Sequence, residues 1–302
     1  MGGDHDFKAD LAKSSQTPLE RAVKSATRGG ITGAAAQAVN VFALMWMRTT
    51  MNHQMANGGS MIGTIKLLYK EGGVPRFYRG IIPALVQSPI SRFGDTFANA
   101  GALALLQDLD IPIAAKTVFA SASAGGMRIM LMPLDAWKTN KQVHGGAGLS
   151  ALMNKVKANG VTCLFHGGVA QASATAVGHW PWFVTYNYLD AYLGWKNGSF
   201  MQKTMRSASI GLAASFVSDV SSNGLRVLKT YRQTSKEPIG YAQALAEIRA
   251  KDGLFGMNGL FFRGLQTRLI SHGINSAVFT VVWKWFQHAA EEKKKHEGES
   301  KH

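Results

Sequence analysis

The stretch Pro133-Leu134-Asp135-Ala136-Trp137-Lys138 follows the apolar residues from Ile129 to Met132. Proline lacks a backbone donor, so at this place it predicts a kink in a helix. Asp135 and Lys138 are three residues apart, which puts them on one side of the helix below the kink. A single hexapeptide of this kind occurs by chance in many proteins. Its meaning therefore depends on whether the rest of the chain repeats it.

The composition is poor in charge yet strongly basic. Only 17% of the residues are charged, whereas soluble domains have about 25%. Lys and Arg number 33 against 18 Asp and Glu, a formal net charge of +15. This excess is typical of a protein that binds nucleic acid or an anionic membrane surface. It is also typical of a membrane protein with basic loops on one side of the bilayer. Because the basic residues are not interleaved with aromatic ones, we do not expect nucleic-acid binding.

Several segments contain no Lys, Arg, Asp or Glu and are rich in Gly, Ala and Ser, the small residues that let membrane helices approach closely. A buried helix of a soluble protein is usually shorter and richer in Leu, Ile and Val. We therefore expect tilted membrane helices with a partly polar face. The segments are 29–47, 80–91, 96–107, 167–189, 207–218 and 269–283.

One motif recurs at intervals of about ninety residues, and it includes the lysine of the opening hexapeptide. Its copies are Trp46–Thr49, Ala136–Thr139 and Val227–Thr230, in which Arg48, Lys138 and Lys229 are equivalent. A polar amide follows each base four residues later. These amides are Asn52, Gln142 and Gln233.

A second motif follows each copy of the first and has the order acid, Gly, spacer, aromatic, base, Gly. Its copies are Glu71–Gly80, Asn159–Gly167 and Asp252–Gly264, and the second copy has Asn159 for the acid and His166 for Arg. Because two independent motifs repeat together, we predict three structural units. Each unit has the order long helix, short amphipathic helix, long helix. Three units predict six membrane helices with both termini on one side.

The short helices are predicted at 60–70, 149–158 and 241–251, where one face is apolar and suits a membrane interface. The acid-Gly pair after each is an ordinary helix stop. The predicted units are 21–112, 113–198 and 199–290, with polar termini at 1–20 and 291–302.

This pattern resembles the mitochondrial carrier family over nearly the whole chain. Pro133–Lys138 matches the family's P-x-[DE]-x-x-[KR] motif in full, and Glu71–Gly80 best matches its loop motif. The resemblance implies an all-α membrane protein, a bundle of six transmembrane helices in three pseudosymmetric repeats, each with a short amphipathic helix on the matrix side. It also implies a multi-pass solute carrier of the mitochondrial inner membrane, which exchanges a small polar metabolite by alternating access.

Further implications of the resemblance concern partners and chemistry. The partners would be a small-molecule solute and the lipid bilayer, with anionic headgroups at the matrix-side helix ends. No cofactor and no enzymatic activity are expected, and no nucleophile–base pair, cofactor loop or metal cluster in the sequence suggests otherwise.

The family closes its matrix side with a ring of salt bridges, from which this chain departs. The positions equivalent to Pro, acid and base are Ala43, Met45 and Arg48 in the first repeat, and Gly224, Arg226 and Lys229 in the third. Like charges repel in a low-dielectric site, so we expect at most one or two bridges, all of them to Asp135. The matrix gate candidates are Arg48, Asp135, Lys138, Arg226 and Lys229.

The resemblance also implies a cytoplasmic lock and substrate contact points. The lock motif is incomplete, and its candidates are Tyr186, Asn187, Asp190, Lys284 and Gln287. The contact points fall seven and eight residues after each loop glycine, on Gln87, Ser88, Ala174, Thr175, Ser271 and His272.

Ionisable residues inside the predicted membrane segments add further candidates, because burying such groups is costly. They are Arg92, Asp95, Arg128, His179 and Asp219. Either they line a cavity for a small zwitterion or anion, or the charged ones pair with partners and fix helix packing. Both interpretations stay open from the sequence.

Two functional hypotheses follow. The first is the solute carrier that the resemblance implies. The second is a carrier-like structural subunit that no longer transports and packs into a larger inner-membrane complex, because both gates are incomplete.

Overall fold

The computed structural model describes residues 18–91, 94, 126–194 and 200–275. Regular structure within these ranges is helical throughout, which confirms the all-α prediction. The helices are α1 (Pro18–Asn57), α2 (Met61–Phe77), α3 (81–91), α4 (Met132–His144), α5 (Gly148–Asn159), α6 (Gly168–Tyr192), α7 (Phe200–Thr234), α8 (Tyr241–Asp252) and α9 (265–275). Short 3-10 helices lie at Gly145–Ala147 and Val161–Phe165.

The predicted kink lies just before α4. Residues 126–130 are helical, Leu131 leaves the helical geometry with φ −85° and ψ 0°, and Pro133 occupies the first turn of α4. Proline has no N–H to donate to the preceding turn, so the helix restarts where Asp135 N bonds Leu131 O at 3.0 Å. The interruption turns the chain directly above Asp135 and Lys138.

The short helices α2, α5 and α8 lie where the amphipathic segments were predicted. Ser60 caps α2 by accepting a hydrogen bond from Gly63 N at 3.2 Å. Gly160 and Gly253 end α5 and α8 with φ of +84° and +76°, a conformation that glycine adopts without strain. The α2 segment differs from the prediction because it bends at Gly72 and Gly73 and continues to Phe77.

The long helices that carry the first motif form the centre of the structure. Each of α1, α4 and α7 contacts the other two, and α6 packs along α7. Polar side chains occupy much of this centre, including Thr49, Asn140, Gln142 and Asn223. The interior therefore suits polar or charged groups.

The first two loop glycines rest on the backbone of the following unit. Gly80 and Gly167 have φ of +93° and +90°. A Cβ on Gly80 would lie 3.0 Å from Lys138 O, and one on Gly167 would lie 3.1 Å from Lys229 O. Any side chain at either position would therefore push the loop away from the helix beneath it.

The third loop glycine closes a ring. Gly264 has φ +67°, and a Cβ there would lie 3.2 Å from Met51 O in α1. The first loop thus touches α4, the second touches α7, and the third returns to α1. This cyclic order is the one expected of three equivalent units.

None of the helices in the described ranges combines the length with the apolar character that a membrane span requires. The prediction of six membrane helices therefore stays a prediction, and so do the unit boundaries. The candidates Arg92, Asp95, Lys284 and Gln287 lie outside the described residues.

Candidate functional site

A cavity of about 530 Å³ lies between α1, α3, α4, α6, α7 and α9. This volume is in the range of small-molecule sites, about 300–1,000 Å³. The cavity brings together many of the residues predicted from the sequence. Those on its wall are Arg48, Gln87, Ser88, Arg128, Asp135, Lys138, Arg226, Lys229, Ser271 and His272.

Asp135 is the centre of a buried polar cluster at the cavity. Its Oδ1 accepts from Lys138 Nζ at 2.7 Å, and its Oδ2 pairs with Lys229 Nζ of α7. Gln87 Nε2 donates to Oδ1 at 3.0 Å, and Gln233 Nε2 donates to Oδ2 at 3.3 Å. We call these five residues the Asp135 cluster. Within the described residues Asp135 therefore makes two salt bridges, of which the one to Lys229 joins two helices.

The cluster joins α3, α4 and α7, one helix from each predicted unit. Lys138 Nζ also donates to Gln87 Oε1 at 2.6 Å, which closes a small ring with Asp135. Next to it, Asn52 Nδ2 donates to Gln142 Oε1 at 2.5 Å and connects α1 to α4. The amides that follow each base thus help to hold the three helices together.

Asp219 makes a second buried ion-pair group. Its Oδ1 lies 2.9 Å from Arg268 Nε, and its Oδ2 lies 2.6 Å from His272 Nδ1, both in α9. Asp219 is therefore a packing residue, which ties α7 to α9 and holds the two partners at the cavity wall. Arg128 stands ten residues before Lys138, as Asp219 stands ten residues before Lys229, and it lines the cavity itself.

Two of the predicted contact points, Ala174 and Thr175, lie on α6. Ala174 and Thr175 are buried and are absent from the cavity wall, and Thr175 Oγ1 donates to Gln171 O at 3.0 Å. Gly178, one turn beyond Ala174, packs closely on α7, because a Cβ there would lie 2.8 Å from Ser218 Oγ. Gln171, one turn before Thr175 on the same face of α6, lines the cavity, so the wall ends between these two turns.

Gln171 and Arg268 are among the wall residues that sequence reasoning missed. Each stands four residues after its loop glycine, one helical turn before the offset that the family resemblance implied. Applying the same count at that shorter offset would have found both. The equivalent in the first unit is Ala84, which is buried in the core.

The remaining candidates on α6 lie away from the cavity wall. The rings of His179 and Phe183 meet edge to face at 6.2 Å, and Tyr186 stacks on Trp182 at 5.0 Å. Asn187 is exposed. These contacts lie within one helix and give no support to a lock at these positions.

Asp190 pairs with Arg206 Nη1 at 2.7 Å, and Arg206 Nε also donates to Gly194 O at 2.9 Å. The pair therefore closes the connection from α6 to α7, between the second and third predicted units.

Arg76, near the end of α2, caps the C-terminal end of α4. Its Nη1 donates to Gln142 O at 2.8 Å, its Nη2 to Val143 O at 2.9 Å, and its Nε to Glu71 at 2.7 Å. Arg79, the base of the loop motif, is exposed. The bend at Gly72 and Gly73 turns the segment so that the earlier arginine is the buried one.

Lys155 has the corresponding role in the second unit. Its Nζ donates to Ser235 O at 2.9 Å and to Arg232 O at 3.3 Å, at the end of α7. Burial lowers the pKa of Lys155 from its usual value. His166, the motif's base, stands next to this lysine. Burial, together with Arg232 and Lys155, lowers the pKa of His166 to about 4, so the ring is neutral at pH 7.

The stability of the chain is expected to fall between pH 6.5 and pH 4 in part because of His166. The unfolded chain takes up the proton near the ordinary pKa of 6.5, whereas the folded chain does so only near 4. The unfolded state therefore binds more protons in this window and gains stability as the pH falls. The melting temperature of His166→Asn should fall less than that of the wild type between pH 7.5 and pH 5. An equal fall in both proteins would contradict this role of His166.

The cavity is strongly electropositive. Of the described residues on its wall, six are Lys or Arg and one is Asp. Walls of low dielectric strengthen the attraction of such a site for anions. The bases are Arg48, Arg128, Lys138, Arg226, Lys229 and Arg268. No group of His, Cys, Asp and Glu that could hold a metal ion is found in the described ranges.

A protein-family model described as "Mitochondrial carrier protein" matches residues 20–107. The matched segment covers most of the first predicted unit and contains Arg48, Gln87 and Ser88 of the cavity wall. No curated protein matches the chain.

Proposed function

We propose that this chain, which belongs to the mitochondrial carrier family by its match over residues 20–107, transports a small organic anion across the mitochondrial inner membrane. Members of the family are transporters and not enzymes. The observation that carries the proposal is the cavity, whose described wall holds six bases and one acid.

The charge balance selects the class of solute. Even if Asp219, which pairs with Arg268, is counted with Asp135, bases outnumber acids among the described residues at the cavity. A unit charge 4 Å away contributes about 4 kcal/mol at an effective dielectric constant of 20. This excess favours an anion over the zwitterion that the sequence left open.

The distribution of apolar residues supports a lipid environment. The buried side of α7 carries Asp219, Ser222 and Asn223, whereas large apolar side chains on α6 and α7 are exposed. A polar interior inside an apolar exterior is the arrangement expected of helices surrounded by lipid. The exposed apolar residues are Val169, Val177, Trp180, Val184, Tyr188 and Tyr192 on α6, and Met205, Leu212, Phe216 and Val220 on α7.

Alternating access would use the Asp135 cluster as the gate on one side of the cavity. The cluster joins α3, α4 and α7, so its separation would open the cavity between these helices. Because only the Lys229–Asp135 bridge joins two helices, this gate needs less energy to open than a ring with three bridges between helices. We expect the +15 chain to contact anionic lipid headgroups at the ends of the short helices as well.

The test is exchange in liposomes that contain the purified chain. We expect counter-exchange of labelled dicarboxylates, tricarboxylates or phosphate, and no exchange of cations of similar size. Liposomes without protein and liposomes with heat-denatured protein are the controls. A folded chain that exchanges none of these anions would contradict the proposal. If the chain also migrated within a larger complex in mild-detergent native gels, the structural-subunit hypothesis would replace the transport proposal. Migration as a free monomer would exclude the structural-subunit hypothesis.

A further inference from the structure

The loop of the third unit is longer than its two equivalents. Gly264 stands 12 residues after the first residue of its motif copy, whereas Gly80 stands 9 and Gly167 stands 8 residues after the first of theirs. The added length lies in residues 253–262, a stretch with no Lys, Arg, Asp or Glu. We call this stretch the apolar loop. Its length and its lack of charge distinguish the third unit from the other two.

The apolar loop has a fixed shape at its base. Leu260 N donates to Gly253 O at 3.2 Å, and Phe261 N donates to Leu254 O at 3.2 Å, so the two ends of the loop pair as in a hairpin. The Leu260 side chain is buried in a core cluster with side chains of α1, α7 and α8. The base of the loop is therefore part of the folded core.

A second set of contacts ties the loop to the first unit. Asn258 Oδ1 accepts a hydrogen bond from Gly59 N at 2.9 Å, just before α2. Arg263 Nε donates to Asn258 O at 2.6 Å, and the buried Arg263 side chain also pairs with Asp252 at the end of α8. The loop is thus held between α8 and the beginning of α2, which fixes the direction in which its remaining side chains project.

The tip of the apolar loop presents large apolar side chains to the surroundings. Phe255 is 76% exposed and Met257 is 67% exposed. The ring of Phe255 stacks on that of Phe261, with centroids 5.4 Å apart, and Phe261 and Phe262 are exposed as well. Exposed apolar side chains that cluster in this way mark an interaction site. Because the base of the loop already packs into the core, the fold does not need these side chains for its own packing.

Two neighbouring features favour a bilayer over a protein as the partner. The exposed bases Arg249 and Lys251 directly precede the loop at the end of α8, where they suit anionic headgroups. On the other side, α9 follows the loop and exposes Ile270. An apolar patch between bases and an apolar helix face is the arrangement expected at a membrane surface.

The other two units support the same partner. Their loops each expose a large apolar side chain, Val74 in the first and Val161 in the second. A single protein partner would contact one side of the molecule, whereas a bilayer surrounds it and contacts all three units. The apolar loop is then an enlarged form of a contact that each unit makes.

We propose that the apolar loop inserts its tip, Phe255 and Met257, below the lipid headgroups and anchors the third unit at the membrane surface. The inference rests on the membrane location proposed above and adds a lipid contact outside the long helices. The expected depth is about 5–10 Å into the boundary between headgroups and acyl chains, as for other interfacial apolar faces. Aromatic side chains are favoured at this level of a bilayer.

The test places an environment-sensitive nitrobenzoxadiazole fluorophore at the tip of the full-length chain in phospholipid nanodiscs. Cys163→Ala removes the natural cysteine, and Phe255→Cys supplies the labelling site. We expect blue-shifted emission that lipids brominated near the headgroup quench more strongly than lipids brominated near the acyl-chain ends. The matched control is Glu237→Cys, an exposed position in the connection from α7 to α8, which should emit as in water and escape quenching.

A second label tests the role of the aromatic anchor. Met257→Cys carries the fluorophore and should be quenched like the label at Phe255. Adding Phe255→Ser to this chain should reduce the fraction of inserted tips about tenfold, the effect expected when one buried aromatic side chain is lost. If Cys163→Ala does not fold, the same labels are measured on chains that keep the buried Cys163, with the labelled wild type as the blank.

A third label separates this inference from the proposed membrane location. Trp180→Cys lies on the exposed face of α6 and should be quenched if that helix is surrounded by lipid. Quenching at Trp180 without quenching at Phe255 or Met257 would overturn the inference alone. Quenching at the tip without quenching at Trp180 would contradict the proposed location alone. Blue-shifted emission at the tip that no brominated lipid quenches would mean that protein covers it, and this too would overturn the inference.

Discussion

Asp135→Asn is expected to lower the free energy of unfolding by about 3–5 kcal/mol, the usual cost of removing one partner from a buried ion pair. Asp135 is 6% exposed and is the acid that both Lys138 and Lys229 contact. Without its charge the two ammonium groups face each other in a buried site and repel. The measurement is thermal or chemical unfolding of the purified chain in detergent. Transport should change as well, because the cluster joins three helices at the cavity.

The matched control for Asp135 is Asp190→Asn. The Asp190 side chain is 43% exposed and pairs with Arg206, so its replacement should cost about 0–1 kcal/mol. The double variant Asp135→Asn/Lys229→Met should recover part of the loss, because it removes one of the two uncompensated charges. A loss at Asp135 no larger than that at Asp190 would show that the cluster contributes little to stability.

Gly167→Ala should destabilise the chain by about 3 kcal/mol, through two effects that add. A residue with a side chain is strained by about 1–2 kcal/mol at the φ of +90° found there. The new Cβ would also lie 2.8 Å from Lys229 Cγ and 3.1 Å from Lys229 O, and overpacking of this kind costs about 1–3 kcal/mol. The free energy of unfolding is again the quantity to measure.

Gly160→Ala tests strain without a clash. Gly160 has φ +84° and ψ 170°, a region essentially restricted to glycine, whereas Gly167 has φ +90° and ψ −4° in the left-handed region. A Cβ on Gly160 would meet nothing within 4 Å, so its loss should come from strain alone, about 1–3 kcal/mol. A loss at Gly167 no larger than the left-handed strain of about 1–2 kcal/mol would mean that the loop moves away from α7 at little cost.

Much of the site could be predicted from the sequence because it depends on local spacing. Pro133 predicted the break above Asp135, and the count of acids and bases predicted that Asp135 keeps one or two bridges. The glycines that end α5 and α8 were also recognisable, since a positive φ restricts the residue type. These features follow from a residue and its near neighbours.

The features that the sequence did not predict depend on how helices pack and bend. Ala174 and Thr175 are buried near the place where α6 packs closely on α7 at Gly178, whereas Gln171, one turn earlier on the same face, reaches the wall. Arg76 is buried in place of Arg79 because the segment bends at Gly72. Counting residues gives the face of a helix but not how far along that face a cavity extends, and it assumes a straight axis, which the segment at Gly72 does not have.

The three loop glycines have a consequence for motion. Each loop bears directly on the next long helix at Gly80, Gly167 or Gly264, and the last contact returns to the first helix. Closely packed contacts transmit displacement because the atoms have no free space to take it up. Tilting one long helix therefore displaces the loop that rests on it, and with that loop the unit to which it belongs. Opening of the helix bundle at the end where these three loops lie is therefore expected to be concerted, with the three units moving in one step.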